Sequence, residues 1–119
     1  MLRVMLPPSK LKWTLLNNHS RNCLALSGIL VSRDAKRASP AGVVFCNAVL
    51  KTQSDVEENG VKRRVVFEIP LVAAGEMANR LESLPLNTFA FFGGFLASQS
   101  QRRKVLVFHI QSIELLKGT

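Results

Sequence analysis

Apolar and polar residues alternate with a period of two along most of the chain, the signature of strands that bury one face. Between Asn22 and Arg33, the run CLALSGILVS sets Leu24, Leu26, Gly28 and Leu30 on one parity, which predicts a long half-buried strand able to bend at Gly28. Asp34 to Gly42 (DAKRASPAG) carries Pro40 and Gly42 as breakers and reads as a loop. Alternation resumes from Val43 to Gln53, with Val44, Cys46, Ala48 and Leu50 facing inward and Phe45, Asn47, Val49 and Lys51 outward. The polar segment Ser54 to Gly60 ends in Asn-Gly and reads as a hairpin connection. Lys62 to Val72 follows as a third strand, with Val65, Phe67 and Ile69 inward and Arg64, Val66 and Glu68 outward, and Pro70 is expected to end its central pairing.

The period changes once. Met77, Ala78, Leu81 and Leu84 recur at helical spacing within Gly75 to Leu84, and Glu76 lies near the start, so one short amphipathic helix is expected there. Phe89 to Ser98 is a dense apolar strand interrupted by Gly93 and Gly94. From Val105 to Leu116, Leu106, Phe108 and Ile110 share one parity while Ile113 and Leu115 share the other, which implies a bulge between them. The order strand, strand, strand, helix, strand, strand predicts an all-β fold: a five-stranded Greek-key barrel of the OB type, with its helix between strands three and four. Closing five strands demands tight coiling, which Gly28 and Gly93-Gly94 permit; an open antiparallel sheet with one helix is the alternative.

Residues 1–21 show no sustained periodicity and are expected to form a flexible N-terminal extension, leaving 22–118 as a single domain. With 119 residues, a net charge of +8 and 47% apolar residues, the chain has the material for one core under a basic surface. No apolar stretch approaches the roughly 20 residues of a membrane span, so a cytoplasmic protein with reduced cysteines is expected. Cys23 and Cys46 lack CxxC spacing and His19 and His109 are far apart, so no metal, cofactor or disulfide is expected. Enzyme chemistry finds no support either. Asp55, Glu57 and Glu58 read as a solvated turn, His109 has no partner that spacing identifies, and Cys46 points inward without a flanking base.

The basic residues fall into groups. Arg33, Lys36 and Arg37 lie at the first loop, Lys51, Lys62, Arg63 and Arg64 flank the second hairpin, and Arg102, Arg103 and Lys104 form the last one. In an OB barrel these loops border the groove that single-stranded nucleic acid follows, so these ten residues are the DNA-binding candidates. Aromatic stacking is sparse by comparison. Tyr is absent, the one Trp is Trp13, and Phe67, Phe89, Phe91, Phe92, Phe95 and Phe108 read mostly as core. Phe45 alone is expected to face outward, to stack on a base or pack in a dimer.

These residues resemble the family of primosomal replication protein N, or PriB, over about Asn22 to Gly118. The likeness rests on LALSGILVSR in the first strand, SPAGV (39–43), VLK (49–51), EENG (57–60), EIP (68–70), GFLASQS with Arg102-Arg103, and IQSIEL (110–115). The resemblance implies a dimeric OB protein, paired through its first strands, that binds single-stranded DNA and stimulates the restart helicase PriA beside other primosome proteins such as DnaT. Arg37, Arg63 and Arg102 to Lys104 match basic positions of the family. Val66 stands where some relatives have a stacking Trp, and Gln53 and Val61 where they have an Arg and a Phe, so binding here is expected to be mainly electrostatic. Two alternatives remain: a general single-stranded DNA coating protein, whose usual long acidic-tipped tail has no counterpart before Thr119, and an adaptor whose basic face docks an acidic protein.

Overall fold

In the computed structural model, which describes residues 21–116, the alternating segments become paired strands. In chain order they are β1 (Leu24–Arg33), the two-residue β2 (Arg37–Ala38), β3 (Val44–Glu58), β4 (Val61–Ala74), the helix α1 (Glu76–Ser83), β5 (Phe89–Ser98) and β6 (Leu106–Leu115). β1 runs antiparallel to β5 over Leu24–Ile29 and to β3 over Gly28–Arg33. β5 pairs with β6, β6 lies parallel to β4 at Leu71 and Val72, and β4 pairs with β3. The circuit therefore returns to β1 and closes the expected five-stranded OB barrel, with β2 added in the first loop. The expected extension, residues 1–21, lies outside the described residues except for Arg21.

Two glycines let the barrel close. At Gly28, where β1 passes from β5 to β3, a Cβ would sit 2.1 Å from the Lys51 carbonyl oxygen; at Gly94 it would sit 1.8 Å from that of His109. Backbones come this close only where no side chain intervenes. Opposite Gly93 and Gly94, the residues Ser112 and Ile110 leave Gln111 unmatched. This is the bulge expected from the parity change, and it carries the buried set from Phe108 and Ile110 to Ile113.

Leu30, Cys46, Leu50, Leu71, Phe92 and Phe108 are fully buried, and α1 adds Ala78 and Leu81, with Leu84 just after it, to the same cluster. The helix begins after Gly75, whose φ of 66° suits glycine, and has no side-chain cap. Side chains from the barrel hold it. Arg80 donates to the Ile113 carbonyl at 2.8 Å, while Arg33 donates to the carbonyls of Leu81, at 3.4 Å, and Leu84.

Three expectations are corrected. Ser54–Glu58 is strand, because β3 and β4 continue as a two-stranded arm to the turn Asn59-Gly60, with φ values of 53° and 77°. Positive φ at both central residues is the type I′ requirement that matches strand twist. Beyond Thr52, β3 pairs with β4 alone, and ion pairs from Arg64 to Asp55 at 3.4 Å and Arg63 to Glu58 at 2.5 Å span the ribbon. An arm with solvent on both faces needs no apolar alternation. Pro70 does not end β4, which runs on to Ala74 with Pro70 opposite Val49. A proline leaves a ladder intact where its nitrogen points away from the partner strand, and β6 pairs only with Leu71 and Val72. Finally, Phe67, Phe89 and Phe91 are 42%, 43% and 42% exposed. Phe67 lies at the root of the arm, past the barrel interior, and the other two face outward on β5, with rings 5.3 Å apart and edge to face.

Candidate nucleic-acid interface

On the outer face of the barrel, adjacent strands bring Asn47, Val72, His109 and Phe95 into one row, in register from β3 through β4 and β6 to β5. His109 and Phe95 stack face to face, with centroids 4.8 Å apart and planes 7° from parallel. Phe45 lies farther along β3. Above these residues is a groove of about 360 Å³, floored by apolar groups such as Val49, Pro70 and Val72 and rimmed by Ser32, Asp34, Asn47 and Gln99. Such volume is at the small end of ligand sites, about 300–1,000 Å³.

Both walls of the groove are built by short-range hydrogen bonds. In the first loop, β2 pairs with Val44 and Phe45, Asp34 N–H donates to the Asn47 carbonyl at 2.9 Å, and Ser39 N–H donates to that of Val43 at 2.8 Å. This folding carries Arg37 over Phe45, with the guanidinium carbon 5.9 Å from the ring centroid, a cation–π distance. In the last loop, Gln99 N–H donates to the Val105 carbonyl at 2.8 Å and Ser100 N–H to that of Arg103 at 3.2 Å. The Ser100 hydroxyl accepts from Arg103 N–H at 3.0 Å. The turn so formed holds Arg102, Arg103 and Lys104 in solvent.

The ten basic candidates have different surroundings. Arg33 serves the last carbonyls of α1, and Lys36 bonds Asn79 at 2.8 Å and Glu82 at 3.3 Å, so both are tied to the helix. Arg63 and Arg64 are engaged with carboxylates on the arm, where Lys62 stands opposite Glu57. Lys51 is exposed on β3 opposite Glu68. Arg102, Arg103 and Lys104 have no ion pair among the described residues. Arg37, whose guanidinium lies over the groove residue Phe45, and the last loop, whose flanking residues Gln99 and Val105 line the groove, are therefore the basic candidates that the fold leaves beside it without an ion pair among the described residues.

Phe45 is half-buried as part of this groove, so the outward orientation read from the sequence holds. Phe95, read from the sequence as core, is instead half-buried on the outer face against His109, a pair that the sequence does not reveal. The signal that finds them is the bulge at Gln111: once it is placed, parity sets both rings outward and in register. Cys46 is a core residue beneath the first loop, its thiol donating to the Asp34 carbonyl at 3.5 Å. Burial pushes that thiol's pKa up, which keeps it protonated and unreactive. Among the described residues there is no group of His, Cys, Asp and Glu arranged to hold a metal, and no helix is long and apolar enough to cross a membrane.

A family model described as another single-strand binding protein family matches residues 22–112. Replication restart protein PriB of Proteus mirabilis is 31% identical over 98 residues, covering 80% of this chain and 93% of its own length. The chain belongs to the PriB family. A solved structure of PriB from Ralstonia solanacearum superposes with a TM-score of 0.74 at 36% identity, over 81% of this chain and 98% of that one. The OB fold extends further: the single-stranded DNA binding protein of Thermus aquaticus has a TM-score of 0.66 at 24% identity, over 82% of this chain and 51% of that one. Against its PriB relatives, the chain thus spans nearly their whole length.

Proposed function

We propose that this PriB-family chain is a non-catalytic accessory of replication restart in the cytoplasm, which binds single-stranded DNA and stimulates a PriA-type helicase beside primosome proteins such as DnaT. The observation that carries the reading is the groove with Arg37 over its lining residue Phe45 and, in the loop between its lining residues Gln99 and Val105, Arg102, Arg103 and Lys104, which make no ion pair among the described residues. Phosphates follow such cations while bases meet the apolar floor between them. Lys51 and Lys62 extend the track toward the arm, and Arg63 and Arg64 join it by exchanging a carboxylate for a phosphate. Adding the protein to PriA on a forked substrate is expected to raise unwinding. Binding of oligo-dT without such stimulation would favour the coating alternative, and no oligo-dT binding would favour the adaptor.

The same reading includes a homodimer. β3 occupies the second edge of β1 only from Gly28 onward, so among the described residues nothing pairs with the second backbone edge of Leu24–Ser27. Phe91 and Phe89 stand beside Ser27 and Ile29 and make the neighbouring outer face apolar. Antiparallel pairing of two β1 strands through this half-edge would remove an aggregation-prone feature. Sedimentation at micromolar concentration should find a dimer; monomer alone would remove this part of the proposal.

A further inference from the structure

An electrostatic track for phosphates has no use for a carboxylate, yet Asp34 lines the groove, the one acidic residue to do so among the described residues. Its carboxylate makes no ion pair or hydrogen bond among the described residues. Asp34 is held in place by its backbone, which donates to the Asn47 carbonyl at 2.9 Å and accepts from the Cys46 thiol at 3.5 Å. The side-chain amides of Asn47 and Gln99, on the same rim, also have no hydrogen-bond partner among the described residues. Three polar side chains without a hydrogen-bond partner among the described residues therefore line one groove together with Phe45 and the stacked His109.

We propose that this groove is a base-reading subsite that selects guanine within a bound single strand; the inference rests on the DNA-binding reading above and deepens it. An ionised carboxylate only accepts hydrogen bonds. Guanine alone presents two adjacent donors on its Watson–Crick edge, the ring N1–H and the exocyclic N2–H, matched to the two oxygens of Asp34. Its O6, next along that edge, is an acceptor for the amide N–H of Asn47 or Gln99. Thymine offers one N–H between two carbonyl oxygens, which the carboxylate repels. Cytosine and adenine each place one amino group beside an unprotonated ring nitrogen, which the carboxylate also disfavours. Stacking on an aromatic face tolerates any base, so the polar rim sets the choice and the rings supply the hold. Arg37 and the last loop meanwhile take the flanking phosphates.

The test is fluorescence anisotropy with oligo-dT and with the same oligomer carrying one central dG, dC or dA. The dG oligomer is expected to bind about five-fold more tightly than oligo-dT, the low end for a bidentate contact because the rim is exposed. Asp34→Asn should abolish that preference and raise affinity for oligo-dT about two-fold, since a negative charge that repels the phosphates is removed. Phe45→Leu, which keeps bulk but removes the ring, should weaken all four oligomers and leave the dG preference in place. Wild-type protein that binds all four oligomers equally would overturn the subsite while leaving the DNA-binding reading intact. A preference that survives in Asp34→Asn would overturn it too. Failure to bind any of them would overturn both.

Discussion

The first loop and the last loop each carry three basic residues, and the fold uses them in opposite ways. Arg33 and Lys36 turn back to α1, one serving its terminal carbonyls and the other bonding Asn79 and Glu82, and only Arg37 lies over a residue of the groove, Phe45. Arg102, Arg103 and Lys104 sit on a turn closed by backbone and Ser100 hydrogen bonds, with no ion pair among the described residues. A cation's value for phosphate binding depends on what it must leave in order to bind. Three charges held by a hydrogen-bonded turn are available without loss, whereas moving Arg33 would uncover the end of a helix that closes the core.

That contrast predicts where each substitution will register. Arg33→Ala should lower stability by about 1–2 kcal/mol, because charged hydrogen bonds to helix-terminal carbonyls disappear. A thermal midpoint several degrees lower, with oligo-dT affinity of the folded protein within about two-fold of wild type, is the expected result. Lost affinity at unchanged stability would move Arg33 to the DNA path. Val66→Trp acts only on binding: a ring on the outer face of β4 should tighten oligo-dT by about five-fold, the lower end of stacking on one base. An unchanged affinity would show that the strand does not pass the root of the arm.

Lys36→Ala should cost about 0.2–1 kcal/mol, the range of an exposed ion pair, and leave binding nearly unchanged. The smallest effect is on thiol chemistry. Cys23 is exposed and Cys46 buried, so alkylation should label Cys23 quickly and Cys46 only as the first loop opens. Arg33→Ala should speed labelling of Cys46, whereas Ala at 102–104 should not. Because burial raises the Cys46 pKa above that of a free thiol, its contribution to stability is complete below the unfolded pKa and falls as pH climbs through the folded one. A stability loss in the alkaline range, absent in Cys46→Ala, checks the sign.

Much of this architecture is legible in the residues because the barrel interior imposes parity. Leu30, Cys46, Leu50 and Phe108 alternate with outward residues, and Gly28, Gly94 and the shift from Ile110 to Ile113 mark where strands bend or bulge. The arm is not legible in the same way. Ser54–Glu58 has no core face to satisfy, so a paired strand there looks like a polar loop with an Asn-Gly end. Phe89, Phe91 and Phe92 fall in a run apolar at nearly every position, which hides the face that each takes. Charge partners are the least visible. Lys36 meets Asn79 and Glu82 only after 43 and 46 residues of chain have closed the barrel, and nothing local separates it from Arg37.

The central claim is that unpaired cations of the last loop carry the DNA, and it is tested most directly by the salt dependence of oligo-dT affinity in wild type and in the Arg102→Ala, Arg103→Ala, Lys104→Ala triple variant. Each phosphate neutralised on a single strand contributes about −0.7 to the slope of log affinity against log salt, so losing three contacts should flatten that slope by about 2 and weaken binding most at low salt. Unchanged affinity and an unchanged slope in a folded triple variant would contradict the account and remove the last loop from the DNA path.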